Sequence, residues 1–184
     1  MKLFPLALIL LLLSGCSMPS ISTETPPLRY YVLPSPALSG TAVSKDRIAI
    51  MPVHLPGYLT RVQLVTGEGS AGITVHEYDR WGEELGTGIA RVLSDAFAQN
   101  GISALPLRQG TLSAKKLQLD IRRFDGKPGG SVTLDTVWTV QNMGEIIKTG
   151  RVQLSCPAGE DLQSMVCALS ELIQQLSKRI AGAL

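Results

Sequence analysis

Apolar and polar positions along the chain change their period several times, and each change marks an element. The first apolar block, Leu3 to Leu13, has no period at all. Beyond it, Arg29-Tyr-Tyr-Val-Leu33 is aromatic and β-branched and ends at Pro34, which predicts a first strand. A loop of Pro, Ser, Gly and Ala leads to Arg47-Ile-Ala-Ile-Met-Pro-Val53, a nearly continuous apolar run of the kind found in strands covered on both faces. Leu55-Pro-Gly-Tyr58 is a turn. Arg61–Val65 and Ile73–Tyr78 then alternate, and Gly67-Glu-Gly-Ser-Ala-Gly72 between them predicts a hairpin with a flexible tip.

After Trp81 the period becomes helical. Leu85, Ile89, Val92, Leu93, Ala96 and Phe97 form one apolar stripe, and Asn100-Gly101 is a helix stop. Alternation returns in Lys116–Ile121, in Val132–Val140 and in Ile146–Leu154, separated by the turns at 126–130 and 144–145, so three antiparallel strands are expected. The last element runs from about Asp161 to Ala181, with Leu162, Met165, Val166, Leu169, Leu172, Ile173, Leu176 and Ile180 on one face. Glu160-Asp161 at its start and Lys178-Arg179 near its end complement the helix dipole. The order β, β, β-β, α, β-β-β, α predicts an α/β fold: a single-domain sandwich, mostly antiparallel, with two amphipathic helices packed on the sheet.

The unperiodic block at the start needs a different reading. Lys2, a Leu-rich run of roughly ten residues and small residues before Cys16 make a secretory signal, because a spanning helix needs roughly 20 apolar residues. Leu13-Ser-Gly-Cys16 resembles a bacterial lipobox, in which the thiol of Cys16 takes a diacylglycerol, the new N-terminus an acyl chain, and no other cofactor is called for. Several acyl chains are needed for durable anchoring, since one alone holds marginally. Ser17, where Asp would signal retention in the inner membrane, implies an outer-membrane address in a two-membrane cell. Residues 1–15 are therefore expected to be the signal, 16–27 a lipidated cysteine with a Pro-rich tether, and 28–184 the folded domain.

Charge excludes one class of partner. Lys2 leaves with the signal, so 16 basic residues face 15 acidic ones at a net +1, without the clustered basic stripe of a nucleic-acid binder. The pairs Lys115-Lys116 and Arg122-Arg123 read as solvated positions. Cys156 and Cys167 are an even pair in an exported chain, so a disulfide is expected; it would close a loop of about 12 residues, worth roughly 2.8 kcal/mol.

Catalytic constellations are missing. Gly67–Gly72 fits G-x-G-x-x-G formally, but it leads into a strand rather than opening a helix, so it is a hairpin tip. The two histidines, His54 and His76, belong to no H-E-x-x-H, and there is no G-x-S-x-G elbow. No enzyme and no metal site is expected. Large side chains near turns remain: Tyr58, Tyr78 and Trp81, with Arg61 and Arg80 beside them, are the candidate partner-binding residues. The competing expectation is structural, with Trp81 capping the first helix and Tyr58 plugging a sheet edge.

Leu55-Pro-Gly-Tyr-Leu-Thr-Arg-Val-Gln-Leu-Val65, Tyr78-Asp-Arg-Trp-Gly-Glu-Glu-Leu85 and Gly88-Ile-Ala-Arg-Val-Leu93, with the Arg29–Leu33 strand and the lipobox, resemble the ABC-type transport auxiliary lipoproteins, the PqiC-like (paraquat-inducible) family. Thr60 and Val62 depart from its pattern, where Asp and Pro are common. The resemblance implies a non-catalytic outer-membrane lipoprotein, a fold akin to the N-terminal domain of TolB, and an MCE-domain partner (PqiB-like) anchored in the inner membrane. Such systems move lipid across the periplasm and support envelope integrity. MCE proteins are ring-shaped, which makes a homo-oligomeric ring of this chain compatible with the role. Two rivals are a tethered hydrolase, which requires a nucleophile and base in one pocket, and a lipid-binding or structural lipoprotein without an MCE partner, which requires a deep apolar cavity.

Overall fold

A computed structural model of the chain describes residues 25–37, 47–68, 71–107, 113 and 115–183. Cys16 and most of the tether lie outside the described residues. The strands form two sheets. In the smaller, β1 (Arg29–Tyr31) runs parallel to β4 (Gly72–Trp81), which pairs antiparallel with β3 (Gln63–Glu68). In the larger, the order is β5 (Ser103–Pro106), β2 (Arg47–Ile50), β6 (Lys115–Gly126), β7 (Ser131–Asn142), β8 (Glu145–Pro157). The long β6-β7-β8 meander is antiparallel, while the short β2 is parallel to both β5 and β6. Two helices, α1 (Leu85–Gln99) and α2 (Leu162–Ala181), complete the domain.

The larger sheet is two-faced, as its alternation requires. Leu117, Leu119 and Ile121 of β6 and Val132, Leu134, Trp138 and Val140 of β7 are buried. On the opposite face of β7, Asp135 takes a two-pronged ion pair from Arg151 of β8, with Nη2 at 2.7 Å and Nε at 3.0 Å. That pairing holds the Asp135 carboxyl below its usual range. The helical stripes meet the buried face: Leu85, Ile89, Val92, Leu93, Ala96 and Phe97 of α1 and Met165, Val166, Leu169, Leu172, Ile173, Leu176 and Ile180 of α2 share one core. Leu162 packs at its edge.

The helix ends follow the sequence signals. The Asp161 side chain accepts from the Ser164 N–H at 2.7 Å, capping α2, and the lowered pKa of its carboxyl follows from that bond. Lys178 and Arg179 lie in the last turn of α2. Gly101 takes φ +74° after α1, and the Asn100 amide donates to the Ala96 carbonyl at 2.8 Å. Glu83, ahead of α1, accepts from Arg91 one turn and more away, which fixes that end of the helix by an ion pair.

Three features differ from the pattern-based expectation. The hairpin does not join the main sheet; it pairs with β1 to make a second one, linked to the first through side chains. Strand β5 was not anticipated, because four residues directly after a helix stop show no usable period. It forms because Ala104 is buried and its carbonyl accepts from Ser94 of α1 at 2.7 Å while its backbone pairs with β2. The two cysteines expected to bridge are free thiols here. Cys156 points inward from β8, its Sγ 3.6 Å from the Ala168 carbonyl, and burial pushes its pKa up; Cys167 is exposed on α2.

Candidate docking site

The block from Leu55 to Leu93 folds around the start of α1. It passes from β2 through a 3₁₀ turn at Gly57–Leu59 into β3, returns along β4, and enters α1 at Leu85. Tyr58 sits at the joint between the two sheets. Its hydroxyl donates to Asp125 Oδ2 at 2.7 Å, and Asp125, buried at the end of β6, also accepts from Arg123 Nε at 2.9 Å. Burial first, and the Asp125 bond second, push the Tyr58 phenol far above its usual pKa. Gly67 of β3 completes this joint: a Cβ there would stand 2.6 Å from Asp125 Oδ1. Tyr58 thus faces inward and holds β3 to β6.

Removing that hydroxyl is expected to be felt in stability alone. A hydrogen bond to a charged group contributes about 1.5–3 kcal/mol, so Tyr58→Phe should lower the free energy of unfolding by about that amount in urea titration. A variant as stable as the parent would show that the phenol is no joint.

The remaining candidates divide between the interior and the surface. Trp81 is half-buried against the core, and its backbone N–H donates to the Val62 carbonyl at 2.8 Å. On its other side, Gly82 N–H donates to the Tyr31 carbonyl at 2.8 Å, and a Cβ on Gly82 would stand 2.9 Å from Val32 Cγ2. Tyr30 pairs in register with Arg80, and Tyr31 with Trp81. Inner and outer faces of β1 and β4 follow from this register. Tyr31, Trp81 and Asp79 turn inward, where Asp79 accepts from the Tyr31 hydroxyl at 3.0 Å and pairs with Arg29 at 2.8 Å. Tyr30, Val32, Tyr78 and Val62 are exposed. Arg61 is exposed beside Val62, whereas Arg80 is half-buried, its Nε buried without a hydrogen-bond partner among the described residues.

Two exposed apolar spots result: Tyr30 with Val32 on the outer face of β1, and Val62 beside the Trp81-Gly82 step. Val62 is 59% exposed and Tyr30 62%. Beside Val62 opens a groove of about 320 Å³ whose walls include Leu55, Leu59, Arg61, Val62, Trp81 and Leu85. A second groove, about 620 Å³, lies along α1 toward β2 and β5, and Glu83 and Glu84 border both. The structure therefore brings Arg61 and Trp81 to one groove and leaves Tyr58 out of it. Val62 stands out in the sequence as a departure from the family pattern, whereas Tyr30 and Val32 escape a pattern-based reading. Their signal was present in β1, where Tyr and Val occupy both phases of a strand whose inner phase alone suffices for the core.

The histidines stand apart. His76 Nε2 lies 3.0 Å from the Thr66 hydroxyl within the small sheet, and His54 forms a bridge with Asp120 at the edge of the large one. Neither lines either groove. Among the described residues no cluster of three His, Cys, Asp or Glu side chains could hold a metal, and no helix is long and apolar enough to cross a membrane. The larger groove carries Glu83, Glu84, Arg91 and Asp95 beside apolar residues that include Ile50, Val53, Ala90 and Leu107.

The sequence pattern of the family described as "ABC-type transport auxiliary lipoprotein component" matches residues 31–181. The chain belongs to that family. Its members are auxiliary components of transport systems rather than transporters themselves, which fits a domain whose outstanding feature is surface. Among solved structures, the fold of this auxiliary lipoprotein is similar to that of an uncharacterized protein. The two share 19% identity at a TM-score of 0.72, over 86% of this chain and 99% of that one. A protein from Xanthomonas campestris is similar at 15% identity and a TM-score of 0.66, over 86% of this chain and 94% of the other. No curated protein matches this lipoprotein in sequence.

Proposed function

We propose that this auxiliary lipoprotein does no chemistry, is fixed to the outer membrane by acyl chains on Cys16, and docks an MCE-domain protein that is anchored in the inner membrane and belongs to an ABC-type lipid transport system. The carrying observation is the groove beside Trp81, with Val62 exposed on its wall and Leu55, Leu59 and Arg61 around it, built from the chain's most family-like block. Large apolar side chains left in water over a rigid two-sheet joint gain burial only when a partner covers them. Arg61 supplies a cation and Glu83 and Glu84 the carboxylates at the rim, where charge sets orientation more than affinity. Ser17 and the absence of an inner-membrane retention signal support the outer-membrane address.

A binding measurement tests this. Arg61→Glu combined with Val62→Asp alters only exposed side chains, so the melting temperature should stay within a degree or two of the parent. Affinity for the purified MCE-domain partner should fall by about 2 kcal/mol, roughly thirty-fold, as for a hot-spot pair. Unchanged affinity would remove this surface from the interface.

A further inference from the structure

At the end of the domain farthest from the tether, the chain makes a costly choice. The β7–β8 hairpin closes through Met143 and Gly144, with Asn142 and Glu145 paired across it. Both central residues have positive φ, +50° for Met143 and +93° for Gly144. Such turns favour Asn or Gly at the first position, because in the left-handed region Cβ crowds a carbonyl oxygen; Gly has no Cβ, and the short Asn side chain offsets the strain by local hydrogen bonding. Here that position carries a methionine that is 87% exposed. The apolar character continues into β8, where Ile146 is 65% and Ile147 53% exposed. A register shift leaves Ile147 without a partner on β7, since Gln141 pairs with Ile146 and Val140 with Lys148. Neither turn chemistry nor the core explains three large apolar side chains at this tip.

The charges around the tip are predominantly cationic. Lys115 and Lys116 start β6 opposite Asn142 and Gln141, Arg47 starts β2 next to them, and Lys148 lies two residues beyond Ile146. Lys178 and Arg179 close α2 at the same end, because Lys148 Nζ donates to the Ala183 carbonyl. Glu145 is the carboxylate of the hairpin itself. Elsewhere Arg29, Arg91, Arg123 and Arg151 are held in ion pairs with Asp79, Glu83, Asp125 and Asp135. Among the described residues Lys116, Lys178 and Arg179 enter no ion pair of this kind. An apolar tip ringed by cations is complementary to the headgroup region of a bilayer that contains anionic lipid.

Geometry lets the tip reach the bilayer that holds the anchor. The Pro34 carbonyl accepts from Ser170 midway along α2, and the Ala37 carbonyl from Gln99 at the end of α1. Residues 31–37 thus run toward the tip, and the tether enters at the opposite end. The 20 residues of α2 rise about 30 Å, whereas the twelve residues 17–28 can extend to about 40 Å.

We propose that the Met143–Ile147 tip is a second membrane contact, dipping into anionic headgroups of the same bilayer that holds the Cys16 acyl chains while Lys116, Lys148, Lys178 and Arg179 engage the phosphates. It rests on the anchor reading and orients the domain, which a tether alone would leave free to tumble. It is independent of the docking partner.

Fluorescence of the acylated protein in vesicles tests it. Ile146→Trp places an indole at the tip, and the parent, with Trp81 and Trp138, gives the baseline. In phosphatidylcholine–phosphatidylglycerol vesicles with brominated chains, the introduced indole should be quenched at least two-fold beyond that baseline. Quenching should weaken in phosphatidylcholine alone and return to baseline with Lys116→Glu and Lys178→Glu, each cation near an anionic surface being worth roughly five-fold in partitioning. Met143→Asn should separate function from fold, raising the melting temperature by relieving the turn while reducing the quenching. Protein that floats with the vesicles while its tip indole stays at baseline would overturn the contact alone. Protein that does not float would overturn the anchor and the contact together. Loss of affinity for the MCE-domain protein in Ile146→Asp, together with an Ile146→Trp indole that stays at baseline in vesicles, would overturn the contact and hand the tip to a protein partner.

Discussion

Replacing Cys16 with serine should abolish incorporation of labelled fatty acid into the protein, and the chain should persist at precursor size. A serine hydroxyl is a far weaker nucleophile than a thiolate and leaves no thioether, so neither diacylglycerol transfer nor the cleavage that follows it can proceed. The effect is all-or-none because attachment is cumulative: each buried methylene contributes about 0.8 kcal/mol, and a chain with no acyl group has none of it. Cys156→Ser and Cys167→Ser serve as controls and should keep the label at parent level. Labelling that survives in Cys16→Ser would move the anchor elsewhere and remove the basis for an outer-membrane address.

The second large effect is in the core. Phe97, completely buried in the last turn of α1, joins the cluster that α1 and α2 share with the larger sheet. Phe97→Ala is expected to cost about 3–5 kcal/mol, the sum of lost transfer energy and the cavity left behind. For a domain of this size that lowers the melting temperature by roughly 6–20 °C. Phe97→Leu, which refills much of the volume, should cost less than about 1.5 kcal/mol. The denaturant slope should not change, since the surface exposed on unfolding is nearly the same. A loss under 1 kcal/mol in Phe97→Ala would mean that the site collapses around the gap and that the α1 seam is not rigid. The consequence would reach the docking surface, because α1 carries one wall of both grooves.

How much of this the sequence disclosed depends on the range of the interactions. The stripes of α1 and α2, the Asn100-Gly101 stop and the Asp161 cap are local, and they are found where the period and the end residues put them. The β6-β7-β8 meander is equally local, since its turns bring neighbours together. The split into two sheets is not local. It depends on Tyr58 meeting Asp125 across 67 positions and on Gly67 leaving room for that carboxylate. Neither residue looks unusual in its own neighbourhood. Strand β5 was illegible for a related reason: its stability comes from β2 and α1, not from any pattern in Ser103–Pro106.

The candidate site shows the same division. Tyr58 was a reasonable surface residue by its position at a turn, yet burial of its ring and a carboxylate partner turn it inward. Tyr30 reads as an ordinary strand residue, and only the register of β1 on β4 shows that it faces out; Val62, just ahead of β3, stands out in the sequence as a departure from the family pattern and lies exposed on the groove wall. Trp81 belongs to both descriptions, with its ring packed on the core and its edge in the groove wall. Cys156 and Cys167 suited a bridge by count and compartment, but the inward turn of β8 and the outward face of α2 leave them as separate thiols here.

The most direct test of the central claim, that this lipoprotein works by docking an MCE-domain protein, is crosslinking in intact cells from a photoreactive residue substituted for Val62. The expected product is an adduct with an MCE-domain protein of the inner membrane, diminished by Arg61→Glu and absent when the same residue replaces Thr139 on the opposite face of the large sheet. No adduct from position 62, or equal adducts from both positions, would contradict it.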